Sequence, residues 1–128
     1  MTGGWSYDGL ANTFGQPVLW HAVGSNGVIY KDFGRIKNKA LHYDVWAFRW
    51  RGDWSAIHPG RLNSRQWMRG EPLMLLNSCF GGLGVYDMPA FLASKYDGTD
   101  CEHIPFHRGM AEAGYDRLFM NPSQIVVY

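Results

Sequence analysis

The densest concentration of groups able to move protons or hold a metal is Asp97-Gly98-Thr99-Asp100-Cys101-Glu102-His103, with His107 four residues beyond. Carboxylates and imidazoles gathered at one loop-to-helix junction are the residue types that general acid–base or metal chemistry requires. Thr99 followed by Glu102 also matches a capping box, which gives Glu102 a structural reading beside the catalytic one. A carboxylate at a helix N-terminus has its charged form favoured by the dipole, which suits a base that must stay ionised while a hydroxyl loses its proton. Asp100 and Glu102 both qualify. His103 and His107, at i and i+4, could aim at one metal from one helix face. No glutamate stands between them as in the two-histidine zinc motif, so a complete metal site within this chain is not expected.

A second signal is Asn77-Ser78-Cys79-Phe80-Gly81-Gly82-Leu83-Gly84, directly after the apolar run Leu73–Leu76. Glycines in that place let a ligand approach the backbone, or form a bulge or hairpin; the spacing alone does not choose. The pattern is neither the dinucleotide fingerprint nor a P-loop, since the Gly spacing is wrong and the Lys-Ser/Thr pair is missing. Ser78 beside Cys79 lacks the nucleophile-elbow pattern. The third signal is aromatic. The chain has 128 residues with six Trp, seven Tyr and seven Phe, and the connection from 50 to 70 carries Trp50, Trp54 and Trp67. Such a surplus fills a core or builds a binding surface, and a pyranose packs its C–H face on an indole ring.

The elements that must position these groups follow from patterning. Tyr7 to Phe14 reads as a short helix capped by Asp8, with Leu10, Ala11 and Phe14 on its apolar face, stopped by Gly15-Gln16-Pro17. Val18–Val23 and Val28–Tyr30 read as strands joined by a turn at Gly24-Ser25-Asn26-Gly27. Residues 31 to 40 read as polar surface and Tyr43–Phe48 as a third strand. Residues 50 to 70 form a long aromatic-rich loop, Leu73–Ser78 a buried strand and Pro89–Ser94 a short helix. A helix from the Thr99 cap runs to about Ala113 and ends at Gly114, and Leu118–Met120 and Ile125–Tyr128 are closing extended segments. Strands mixed with short helices indicate one α/β or α+β domain spanning 1–128.

Composition narrows the function classes. Hydrophobic content of 46% against 18% charged argues for a folded core rather than disorder. A net charge of +1, with only a mild basic cluster from Arg61 to Arg69, argues against nucleic acid or an anionic membrane held by bulk electrostatics. No apolar run is long enough to span a bilayer. Cys79 and Cys101, the two cysteines, cannot make a disulfide framework or a four-thiolate zinc site and read as buried thiols. Localisation is left open.

Taken in order, Trp20-His21-Ala22-Val23-Gly24-Ser25-Asn26-Gly27, Tyr43–Arg49, Asn77–Tyr86, Asp100-Cys101-Glu102-His103 and Leu118–Tyr128 resemble segments of GT-A-type nucleotide-sugar glycosyltransferases, on the acceptor side. The nearest likeness is to the capsule-type α-1,3-mannosyltransferases and related bacterial and viral enzymes. The resemblance implies an α/β fold with a partial GT-A-like mixed sheet and short flanking helices. It implies that Phe80, Gly81 and Gly82 lie near the donor sugar and acceptor, with Asn26, Trp54 and Trp67 as further substrate-binding candidates. Asp100 or Glu102 would supply the catalytic carboxylate, and His103 or His107 would approach a metal-bound diphosphate. Such enzymes hold Mn²⁺ or Mg²⁺ on an Asp-x-Asp motif. No Asp-x-Asp occurs here, so the resemblance implies an ion held outside this chain and a catalytic-domain fragment with little activity alone. It also implies an exposed apolar sheet edge, inviting self-association. A non-enzymatic carbohydrate-binding remnant and a His/carboxylate metal-dependent hydrolase are the alternatives.

Overall fold

The computed structural model describes residues 4–96, 98 and 102–128; Asp97, Thr99, Asp100 and Cys101, with the capping role assigned to Thr99 and the catalytic role assigned to Asp100, lie outside the described residues. The chain folds as an α/β protein around one mixed seven-stranded sheet. The strands are β1 (Gly4–Trp5), β2 (Ala22–Phe33), β3 (Ile36–His42), β4 (Arg49–Trp50), β5 (Met74–Ser78), β6 (Gly84–Tyr86) and β7 (Leu118–Val127). The helices are α1 (Tyr7–Phe14), α2 (Pro59–Asn63), α3 (Met88–Leu92) and α4 (His103–Glu112). The main path runs β3-β2-β7-β5-β4, with β1 pairing β7 and β6 pairing β2.

β7 is the centre of the sheet because nearly its whole length is buried. It runs parallel to β2 and antiparallel to β5. The two closing segments read from the sequence are one strand: Asn121–Gln124 between them forms a bulge, marked by the jump from the Ser25–Asn121 pair to the Asn26–Ile125 pair. Its polar side chains stay inside through a buried network. Thr13 Oγ1 donates to Gln124 Oε1 (2.6 Å), Gln124 Nε2 to Ser25 Oγ (2.7 Å), and Asn121 Nδ2 to Thr13 Oγ1 (2.8 Å). Satisfied in this way, buried amides and hydroxyls avoid their desolvation penalty.

Four local expectations are corrected. Gly24–Gly27 is no turn but the buried interior of the twelve-residue β2; the strand begins only at Ala22, and the hairpin to β3 closes at Gly34, where φ is +54°. Gly24 and Gly27 are required by neighbours: a Cβ on Gly24 would lie 2.8 Å from the Cys79 carbonyl oxygen, and one on Gly27 2.5 Å from that of Gly81. Tyr43–Phe48 is not a strand but a left-handed Asp44 (φ +62°) followed by a 3₁₀ turn, Val45–Ala47, because the chain must swing from the β3 edge to β4 at the other edge. α1 is capped by Ser6, whose Oγ accepts from Gly9 N (3.2 Å), and its inward face is Gly9 and Thr13, leaving Phe14 exposed. The connection from 50 to 70 contains α2, capped by the His58 ring, which accepts from Gly60 N.

The core packs Phe48, Leu62, Trp67, Leu76, Phe106, Met110, Leu118 and Met120 between the sheet, α2 and α4. The β3 edge carries exposed Lys37, Asn38 and Lys39, charged and polar side chains of the kind that blunt edge pairing, next to exposed Ile36. Exposed apolar side chains lie at Tyr30, Phe33 and Ile36 on the β2–β3 hairpin, and at Trp5, Tyr7, Phe14, Val18 and Leu19 on α1 and the segments flanking it. No helix among the described residues is long and apolar enough to cross a membrane.

Candidate functional site

The sheet brings the glycine loop and the start of α4 together. Gly81 (φ +65°) and Gly82 (φ +97°) occupy the left-handed region open to glycine. Their close approach is to protein: a Cβ on Gly81 would collide with the Ser25 carbonyl oxygen, and one on Gly82 with the Tyr128 hydroxyl. The loop is thereby clamped onto β2, with Ser25 N donating to Phe80 O (2.8 Å). Phe80, held at this corner, stacks on the His103 ring with centroids 4.0 Å apart and planes 19° apart.

Asp44 completes the cluster, although its sequence context gave no sign of it. The left-handed backbone half-buries its side chain, and burial raises its carboxyl above the ordinary range, while His103 pulls it down and Glu102 pushes it further up. Beside it, Tyr43 stacks on Tyr128 at 3.5 Å, tying the Asp44 turn to the tyrosine that faces Gly82. Glu102 is exposed, with Oε1 3.7 Å from His103 Nε2. It occupies the N-cap position of α4 in helical conformation and makes no side-chain capping bond. Its exposed carboxylate has the His103 ring beside it.

The other residues singled out from sequence separate from this cluster. His107 is buried, with Ser78 Oγ 2.7 Å from Nδ1 and the Tyr86 hydroxyl 2.8 Å from Nε2. A neutral imidazole has one N–H, so one hydroxyl accepts and the other donates. Burial first, and His103 second, push His107 down to about 3, which keeps it neutral. With both nitrogens occupied it is a strut between β5, β6 and α4, not a metal ligand. Trp67 is core: Phe48 stacks on it and the Arg65 guanidinium lies 5.2 Å from its ring. Trp54 is half-buried with Arg108 over its ring at 5.4 Å. Neither offers a bare indole face. Asn26 is buried and donates to the carbonyls of Trp67 (3.2 Å) and Pro122 (3.4 Å), so its amide positions backbone. Cys79 is a free, buried thiol pushed far up by burial and by Asp44, unsuited to nucleophilic work.

Asn26, His42, Asp44, Phe80 and Gly81 line a cavity of about 20 Å³, room for roughly one water and not for a sugar. Among the described residues no group of three or more His, Cys, Asp or Glu could hold a metal ion. Mn²⁺ and Mg²⁺ take several oxygen ligands, and Asp44 and Glu102 do not amount to that set. What the cluster can do is accept a proton at a carboxylate and orient a hydroxyl by its partner groups. Compared with protein-family models, curated proteins and solved structures, the chain gives no match.

Proposed function

We propose that this chain is the acceptor side of a glycosyltransferase, whose complete form transfers a sugar from a nucleotide-sugar to a carbohydrate hydroxyl. The observation that carries the reading is the Phe80–His103 stack. It brings the glycine loop against His103 and its neighbour Glu102, and Asp44 lines a small cavity with Phe80 and Gly81, although these residues lie far apart in the chain. In the reaction the acceptor oxygen bonds to the anomeric carbon as the bond to the nucleoside diphosphate breaks, and the hydroxyl proton passes to a carboxylate. Glu102, solvent-facing, is the described residue best placed to receive it, and His103 beside it orients the carboxylate. Asp44 lines the small cavity beside Phe80 and Gly81. The proposed Mn²⁺ or Mg²⁺ would belong to the donor half, as would the diphosphate contacts. The hydrolase alternative loses one of its two imidazoles, since both nitrogens of His107 are engaged.

The test has two arms. The purified chain with nucleotide-sugars, Mn²⁺ and glycan acceptors should turn over little or no donor; brisk transfer would refute the division between donor and acceptor halves. In a longer protein carrying this chain with a donor-binding half, Glu102→Gln should lower transfer by roughly 10²- to 10⁴-fold, the range for a lost general base. Unchanged transfer would remove Glu102 from the chemistry.

A further inference from the structure

We propose that the groove between the β2–β3 hairpin and residues 66–69 is an acceptor subsite that takes a pyranoside, an inference that rests on the glycosyltransferase reading. The register pairs Val28 with His42 and Tyr30 with Ala40, and Asn26, Val28 and Tyr30 alternate along β2, so these side chains share one face of the hairpin. Trp67, Met68 and Arg69 form the facing wall. The enclosed volume is about 400 Å³, within the span of small-molecule sites.

Position and chemistry favour a sugar. Asn26, His42 and Trp67 line both this groove and the small cavity at Asp44, Phe80 and Gly81. The clefts beside Asp53 and between α3 and α4 share no lining residue with that cavity. Since the cavity is too small for a ring, a sugar that reaches toward Asp44 would lie in the groove, which shares those three residues with it. The groove offers an apolar floor from Val28 and Ile125, and accessible Tyr30 and Met68, 51% and 68% exposed. Its polar groups are few and held: Gln66 Nε2 donates to Ala40 O (3.1 Å) and His42 Nε2 lies 2.6 Å from Arg65 O. Arg69 makes no ion pair among the described residues, leaving its guanidinium for ring hydroxyls. A pyranoside, apolar on its C–H face and polar at its rim, matches that distribution.

The experiment is an amide-resolved NMR titration of the purified chain with methyl α-mannopyranoside and methyl β-glucopyranoside, with glycerol as a polyol lacking a ring. At least one glycoside should give saturable shifts at Tyr30, Leu41, Gln66, Met68 and Arg69, and glycerol none. Tyr30→Ala and Arg69→Ala, both at exposed side chains, should each weaken binding roughly tenfold, the factor set by one lost contact of about 1.4 kcal/mol. Trp46→Ala, exposed and outside the groove, should leave it unchanged. Absence of saturable shifts, shifts matched by glycerol, or binding indifferent to both groove variants overturns the proposal. Because no donor or turnover is involved, that failure leaves the transferase reading to the Glu102 test. A filled groove with a Glu102→Gln enzyme of full activity would instead keep the subsite and sink the assigned base.

Discussion

Acidification from pH 7 to pH 5 tests the buried His107 strut directly. Its imidazole has an ordinary value of 6.5 and is pushed down to about 3 in the fold. A lowered histidine contributes stability that is present above pH 6.5 and lost as pH falls toward the folded value, because the unfolded chain binds the proton first. Between pH 7 and pH 5 that loss is about 1.4 units of one proton's linkage, or about 2 kcal/mol. His103 faces this ring, and Ser78 and Tyr86 bind it; neither hydroxyl titrates in that window. Asp44, raised by burial, acts in the opposite sense at lower pH, and His42, also lowered, acts in the same sense. The contribution of His107 is therefore read as a difference. Urea unfolding of the native chain and of His107→Gln at pH 7, 6 and 5 should show a loss smaller by about 2 kcal/mol in the variant. At pH 7 the variant should be less stable by about 1–3 kcal/mol, because two buried hydroxyls lose a partner. Should the variant fail to fold, the imidazole resonances of the native chain decide: His107 should not titrate between pH 8 and 5. A His107 midpoint near 6.5, or equal acid losses in the two proteins, would refute the reasoning.

Gly81→Ala should destabilise by about 3 kcal/mol or more, because it combines a left-handed backbone with a collision against Ser25, whereas Gly34→Ala, left-handed but open, should cost only about 1 kcal/mol in the same urea assay. Thr13→Val, nearly equal in volume, should cost about 1–3 kcal/mol by removing the donor to Gln124 Oε1 and one of the two acceptors of the Asn121 amide, and a neutral result would mean the network is not closed as described. Cys79 should resist iodoacetamide in the native state and react on unfolding, as read by mass spectrometry of its own peptide; rapid native labelling would contradict its burial.

Much of the architecture was legible because burial leaves a local trace. The apolar run before Asn77 became β5, the segment at Pro89 became α3, and Gly114 ended α4 within a residue or two of expectation. The site was only half legible. Phe80, Gly81, Glu102 and His103 were marked by type and spacing and do converge. Asp44 was hidden inside a stretch whose alternating aromatic pattern mimics a strand, and its half-burial and charged neighbours are supplied by distant residues.

By itself, then, the sequence determined which segments are apolar enough to bury, where α1 and α4 stop, and which residues carry titratable groups. Those are local properties: propensity, period and side-chain chemistry act within a few residues. Tertiary structure alone decided what each glycine and histidine is for. The same Asn-Gly pair that closes a hairpin in isolation lies flat in β2 because Cys79 and Gly81 press against that strand. Two histidines four residues apart, their rings stacked, take different roles for a similar reason. Ser78 and Tyr86, from β5 and β6, enclose the second ring and leave the first against Phe80 and Glu102. Close approach, desolvation and the field of neighbouring charges depend on non-local partners, and no spacing along the chain encodes them.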